Sequence, residues 1–411
     1  MHNSAPFVAL CLAGALSAQS GWSTPTNVTE LNSTAADTAP HLSFDGLTVH
    51  FGSFRSSNWE IWSATRPNLN APWSTPVQET ALGDPVATDS SPFLTVSGLE
   101  IWFDSTRGGS MDIMRATRAS PTSPWNTPTF VTELNSSATD GGPSLTLDGR
   151  EVYFLSSGHG APYAPNFSIF RATRPDLLSP FGPPTVVAEL AAVQNARESY
   201  RDVEISKDGL RITFCRSVAA TGRLEVFVAT RTNFSAPFGT PVLISDFSNI
   251  APSGGIYSAT FSLDGTEVLL AGGFPAANGS QEILTARFSG LTSLGAPSLI
   301  GSAALTLVDP TSAGLTYALA LSGGTTGFPL GARQVPIDGD GLFLATFGTN
   351  IPLLSTGFLG VLDAAGRAQG QLTNPLAALI GLNVHAGGFV LSPAAPFGVK
   401  TITNSVALEF Q

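Results

Sequence analysis

Five stretches of the 411-residue chain repeat one pattern, and no other feature limits the fold so tightly. They read PHLSFDGLTVHF, PFLTVSGLEIWF, PSLTLDGREVYF, VEISKDGLRITF and ATFSLDGTEVLL. Their turn glycines, Gly46, Gly98, Gly149, Gly209 and Gly265, are spaced by 52, 51, 60 and 56 residues. Asp-Gly between alternating apolar residues marks a hairpin, because the turn requires positive φ. A third strand such as WEIWSATR follows each hairpin, ending in Ala-Thr-Arg or a relic of it, and then a fourth such as STPVQET. Four antiparallel strands repeating at about 40–50 residues describe a β-propeller with one blade per unit.

The outer-strand aromatic recurs at Trp22, Trp73, Trp125, Phe181 and Phe238, with a weak further copy at Leu294. This element therefore outnumbers the hairpins by one, and the extra copy, GWSTPTNVTEL, precedes the first hairpin. An N-terminal strand that completes the last blade removes an exposed edge. Five blades closed in this way are expected, with six blades, one of them incomplete, as the alternative.

After about residue 300 the repeat stops, and residues 301–411 carry no Trp and only eight charged side chains. LTYALALSG, GLFLATFG, GFLGVLD, LNVHAGGFVLS and SVALEF read as buried strands split by Gly/Pro turns, which predicts a small β-sandwich. Leu376–Leu382 is expected to form a short helical turn.

Charged residues make up 12% of the chain, with 42 Gly and 30 Pro, a composition suited to short strands and tight turns. The net charge of −11 argues against nucleic acid and anionic membrane surfaces as partners. The apolar run Phe7–Leu16, with small residues around its end at Ala15, Ser17 and Ala18, reads as a signal peptide over 1–18. Its n-region lacks Lys and Arg, and Leu10 before Cys11 does not fit a lipobox. No later stretch is long and apolar enough for a membrane span. The expected organisation is therefore a leader at 1–18, a propeller at 19–300 and a β-sandwich at 301–411, in a secreted, cell-surface or periplasmic protein. Cys215 is the one cysteine that remains after cleavage, too few for a disulfide or a thiolate metal site.

The core Pro-x-x-Ser-x-Asp-Gly-x-x-Val-x-Phe, followed by Glu/Asp-Ile-(Trp/Phe) and Ala-Thr-Arg, resembles the PD40 or WD40-like repeats of TolB-type propellers over residues 37–300. Repeat two departs with Ser97 in place of Asp, and repeats four and five lack the leading Asp-x-x-Pro. The resemblance implies an exported scaffold that binds proteins or other ligands. The C-terminal region is similar, more loosely, to low-charge β-domains of secreted bacterial proteins.

Candidate site residues follow from where a propeller gathers its loops. Asp37, Asp89 and Asp140 recur at one repeat position, with Asp202 near the corresponding place in the fourth unit. A ring of carboxylates there could hold a cationic or polyhydroxylated ligand, while a repeated Asp-x-x-Pro also serves as a local turn lock. The loops between second and third strands add Arg55, Arg107, His159 and Tyr163, and the long entry to the fourth unit adds Arg201. Asp338-Gly339-Asp340-Gly341 lacks the further acidic residues of a calcium loop and reads as a turn. Asn27, Asn32, Asn135 and Asn233 begin glycosylation sequons.

No nucleophile elbow, zinc helix or phosphate loop occurs, and no cofactor or metal is expected. The sequence thus points to a non-catalytic binding module for a protein, peptide or glycan. The alternatives are a propeller glycoside hydrolase using two of the ring aspartates, and a structural cell-surface protein.

Overall fold

In the computed structural model the described residues are 21–206, 209–219, 221–248, 255–262, 265–273, 281–288, 290–294, 302–322, 328–330, 333–337, 347, 355–373, 383–392, 394–395 and 399–409. Within them the repeats fold into five four-stranded antiparallel sheets. The first blade runs Asp37–Leu42, Thr48–Ser53, Glu60–Thr65 and Val77–Gln78. The second runs Asp89–Leu94, Glu100–Ser105, Asp112–Thr117 and Thr129–Phe130. The third runs Asp140–Leu145, Glu151–Ser156, Ser168–Thr173 and Thr185–Val186. The fourth runs Tyr200–Ile205, Arg211–Ser217, Leu224–Thr230 and Val242–Leu243.

The fifth blade takes three strands from the end of the repeat region, Ile256–Phe261, Glu267–Gly272 and Glu282–Arg287, and its outer strand, Thr26–Asn27, from the start. Thr26 pairs with Thr285 and Asn27 with Leu284. Trp22 seals this joint against Phe247, Phe261 and Phe288, with ring centroids 5.3, 5.6 and 5.4 Å away. Each inner strand lies against the next and the fifth against the first, so the propeller ring closes.

The same turn chemistry recurs around the ring. The five turn glycines hold φ of 63 to 68°, a region open to Gly without a Cβ penalty. Asp45 Oδ1 accepts from the Leu47 amide at 2.9 Å, and Ser97 Oγ does the same for Leu99 at 3.2 Å, which is why Ser serves in the second repeat. The Ala-Thr-Arg arginines then tie hairpin to outer strand. Arg66, Arg118, Arg174 and Arg231 each donate Nε–H to the carbonyl of their own turn glycine at 2.7–2.8 Å. Each guanidinium also stacks on the outer aromatic of its blade, Trp73, Trp125, Phe181 or Phe238, at 4.2, 4.0, 4.5 and 4.9 Å. In the fifth blade Phe288 occupies the arginine position and packs on Trp22 instead.

Leu294, the weak further copy of the outer-strand aromatic, ends the strand Gly290–Leu294, which pairs with Ser302–Val308, and the stretch 295–300 after it lies outside the described residues. The outer position of the fifth blade is already filled by Thr26–Asn27, so this segment joins a C-terminal sheet instead. There, one sheet orders Gly290–Leu294, Ser302–Val308, Arg367–Thr373 and Ser355–Thr356. The other orders Leu359–Val361, Thr316–Ser322, Asn383–Leu391 and Val399–Glu409. Leu305, Leu307 and Leu372 of the first share one apolar core with Leu319, Leu321 and Ala386 of the second. The leader at 1–18, the Leu376–Leu382 turn and the Asp338–Gly341 turn lie outside the described residues.

Candidate functional site

Asp37, Asp89 and Asp140 open the inner strands of blades one to three, and all three are fully buried. Asp37 Oδ2 accepts from the Ser33 amide and hydroxyl at 2.6 and 2.9 Å, and Oδ1 accepts from Arg55 at 2.7 Å. Asp89 is held the same way by the Asp84 amide at 2.9 Å and by Arg107 at 2.7 Å. Burial pushes its carboxyl up, opposed by the Ser105 hydroxyl and by Arg107. Each arginine also donates to a carbonyl in the preceding interblade loop, Arg55 to Leu31 and Arg107 to Leu82, at 2.5 and 2.8 Å. These carboxylates fasten the loop before each blade to the loop between its second and third strands.

The third blade varies the device. Ser136 donates amide and hydroxyl to Asp140 Oδ2 at 2.6 and 2.7 Å, but no arginine follows. His159, at φ +50°, sits with Nε2 2.9 Å from the Leu134 carbonyl and 3.6 Å from Asp140 Oδ1, which has no hydrogen-bond partner. The ring of His159 packs against Phe154 and Phe170, so it is a wedge in the loop as well. Tyr163 is half-buried in the same loop, and its carbonyl accepts from the Asn166 amide at 2.9 Å.

In the fourth blade the place corresponding to Asp37 belongs to Tyr200, not to Asp202. The buried Tyr200 hydroxyl donates to the Leu190 carbonyl at 2.7 Å, the contact that Arg55 and Arg107 make in their blades. Asp202 lies two residues further on, at φ +44°, matching Ala39, Ser91 and Gly142 at φ 48, 49 and 61°. Counting back from the turn glycine places these residues in register, and the bulge in the inner strand turns them toward the propeller axis.

Around that axis is an open recess of about 320 Å³, including the space shared with solvent, lined by His41, Phe93, Ser144, Asp202, Glu204 and Thr260. Its polar groups join the blades in sequence. His41 Nε2 lies 3.2 Å from the Leu94 carbonyl, and the Gly142 amide donates to Asp104 Oδ1 at 2.7 Å. The Ile205 amide donates to Ser144 Oγ at 3.0 Å, and the Ala259 amide to Asp202 Oδ2 at 2.9 Å. Glu204 accepts from the Thr260 hydroxyl and the Phe261 amide, both at 3.2 Å, and the Leu42 amide donates to Thr260 Oγ1 at 3.4 Å. Every joint, including the one between the fifth and first blades, is therefore bridged at the channel.

Asp104 is the residue the sequence reading missed. It stands in the second strand of blade two, where the other blades carry Gly52, Leu155, Cys215 and Ala271. A Cβ on Gly141 would meet its carboxylate at 2.8–2.9 Å, which explains the glycine at that position of the third repeat. Burial drives the Asp104 carboxyl up to about 7, against the opposing Gly142 amide and Ser91 hydroxyl. Asp202 also rises to about 7, through burial first and then repulsion by Glu204 and Asp104. A lone acidic residue at an otherwise uncharged repeat position was the available signal.

Among the described residues no three His, Cys, Asp or Glu side chains are grouped to hold a metal ion, and no helix is long and apolar enough to cross a membrane. Asn32 and Asn135 use their side-chain amides to pair with the backbone of Ile283 and Ile113, in both directions, at 2.7–3.0 Å. A glycan on either would break that pairing.

No family model matches the chain, and no curated protein matches it. Among solved structures it is similar to a putative TolB from Agrobacterium tumefaciens, at 14% identity over 69% of this chain and 83% of that one, with a TM-score of 0.38. It is similar to a thermostable family-43 glycoside hydrolase, at 15% identity over 62% and 89% of the two chains, TM-score 0.43. A third likeness is to an endo-arabinase from Bacteroides thetaiotaomicron, at 13% identity over 65% and 97%, TM-score 0.45. Likeness at this level assigns no activity, and the propeller stands on the strand order and ring closure described above.

Proposed function

We propose that the chain is an exported, non-catalytic binding protein, a five-bladed propeller followed by a β-sandwich that starts near residue 290. It recognises a protein, peptide or glycan at the face where the inner strands begin. One observation carries the choice of binding over catalysis: Asp104, Asp202 and Glu204 each accept a backbone amide from the neighbouring blade. A general acid or nucleophile must exchange protons or bonds with substrate, whereas these carboxylates hold the ring together and leave a rigid polar mouth. Export rests on the apolar Phe7–Leu16 segment and on the family resemblance of the repeats.

Glycoside hydrolysis is the second reading, favoured by two carboxyls, Asp104 and Asp202, raised to about 7 beside one channel. A structural role at the cell surface is the third. Thermal-shift screening of the chain against oligosaccharides and peptides, with reducing-end release measured on every oligosaccharide that shifts it, separates them. A shift without turnover supports binding. Turnover abolished by Asp202→Asn would replace binding with hydrolysis, and the absence of any shift would leave the structural role.

A further inference from the structure

Several described arginines close to the channel face are already engaged. Arg55 and Arg107 bind the buried aspartates, and Arg216 donates to the Val193 carbonyl at 3.2 Å. The side chain of Arg201, the second residue of the inner strand of blade four, makes no hydrogen bond or ion pair among the described residues. Its guanidinium lies over the ring of Phe167, 5.0 Å from the centroid, so the third blade's loop holds it from one side. Tyr257, on the inner strand of blade five, is close enough to act on it electrostatically. Partial desolvation beside these rings lowers the arginine's pKa, while the residue stays exposed and open to a ligand from solvent. The next residue, Asp202, turns into the channel.

A guanidinium stacked on an aromatic ring presents its N–H edge outward, in the plane that a carboxylate matches with two parallel hydrogen bonds. Multiply charged anions fit poorly here. Asp202 and Glu204 line the recess that begins at the next residue, and the chain carries a net charge of −11, so a phosphate or sulfate polymer meets a repulsive field. A single carboxylate with hydroxyl or N–H groups beside it suits both parts of the mouth: the acid on Arg201, the donors on Asp202.

We infer that Arg201, braced by Phe167, anchors the carboxylate of a small ligand whose neighbouring hydroxyl or N–H groups reach Asp202 at the channel mouth. This rests on the channel face being the binding face, and it adds the chemistry recognised there. Two sources carry that chemistry, a uronate in an acidic oligosaccharide and the C-terminal carboxylate of a peptide.

The test is calorimetric titration of the full chain with four probes: a trigalacturonate, its methyl ester, a tripeptide acid and its amide. Wild type, Arg201→Gln, Arg201→Lys and Asp202→Asn are compared, with a thermal melt to show that each variant is folded. One acid is expected to bind at least tenfold more tightly than its neutral partner, and which acid does so identifies the source. Arg201→Gln should remove that preference and weaken the acid by about 10- to 100-fold, the worth of a charge-assisted pair of hydrogen bonds. Arg201→Lys should recover only part of it. If neutral and acidic probes bind alike, and Asp202→Asn weakens both while Arg201→Gln does not, the carboxylate anchor is wrong although the face binds. If no probe binds wild type, both the anchor and the binding face fall for these ligand classes.

Discussion

Replacing Asp104 by Asn should stabilise the propeller at neutral and alkaline pH while leaving it unchanged or weaker at acid pH. Asp104 is 4% exposed and its carboxyl is raised to about 7 from an ordinary 3.8. A group whose folded pKa lies above its unfolded value binds its proton more tightly in the native state. Its contribution is therefore complete below the unfolded pKa, near 4, and is lost as pH rises through about 7. With about 1.4 kcal/mol for each of roughly three pH units, the ionised carboxylate forfeits on the order of 4 kcal/mol by pH 8. Asparagine keeps the carbonyl that accepts the Gly142 amide and offers N–H to Ser91, but it cannot ionise. After allowance for imperfect amide fit, the variant should gain about 2–4 kcal/mol over wild type at pH 8 and nothing at pH 4.5. Urea unfolding followed by tryptophan fluorescence is the assay, because all six tryptophans lie between Trp22 and Trp125 and report the propeller alone. A variant less stable than wild type at pH 8 would show that the native state favours the ionised carboxylate, and the electrostatic account of this joint would be refuted.

Asp89→Ala, read by the same unfolding assay, strands Arg107 beside its buried site and should cost about 3–5 kcal/mol. Asp140→Ala should cost clearly less, because its outer oxygen is unpartnered and no arginine is stranded; equal losses would contradict this. Gly141→Ala drives a methyl group into the Asp104 carboxylate and should cost about 1–3 kcal/mol, but much less in an Asp104→Ala background, so a double-mutant cycle must show coupling. Trp22→Ala removes the aromatic seal on the fifth blade and should cost about 3 kcal/mol. Limited proteolysis should then cut first near the N-terminal strand.

Local chemistry made the blades legible. Asp-Gly and Ser-Gly turns, the Ala-Thr-Arg endings and the outer aromatics each act within one repeat, so one sequence displays them several times over. The N-terminal closing strand was legible for the same reason, since Trp22 is a copy of Trp73. What could not be read was any contact between blades. The recurrence of Asp37, Asp89 and Asp140 suggested a ring around a ligand, yet repetition is also what a fastening needed once per blade produces. The arginine partners of Asp37 and Asp89 lie 18 residues away and arrive only through the second hairpin. Tyr200, doing the same work with a hydroxyl, could not be matched to Asp37 until the strands were in register.

The channel shows why the unrepeated residues are the informative ones. A ring whose joints must all hold would be served by one solution copied at each joint, as the arginine on its glycine carbonyl is copied in four blades. At the channel each joint is bridged differently: an imidazole, an aspartate from a second strand, a serine, an aspartate and glutamate together, and a threonine. Neutral hydroxyls would bridge each joint without the desolvation cost that raises Asp104 and Asp202. The carboxylates thus exceed what closure requires, and one of them, Asp202, directly follows Arg201. If closure is all these groups do, an amide serves at the second and fourth joints and spares the cost of ionisation. Asn at 104 and 202 together should therefore yield a propeller at least as stable as wild type at pH 8. A double variant that is stable but no longer binds would assign the excess charge to recognition. One that unfolds would assign it to the ring.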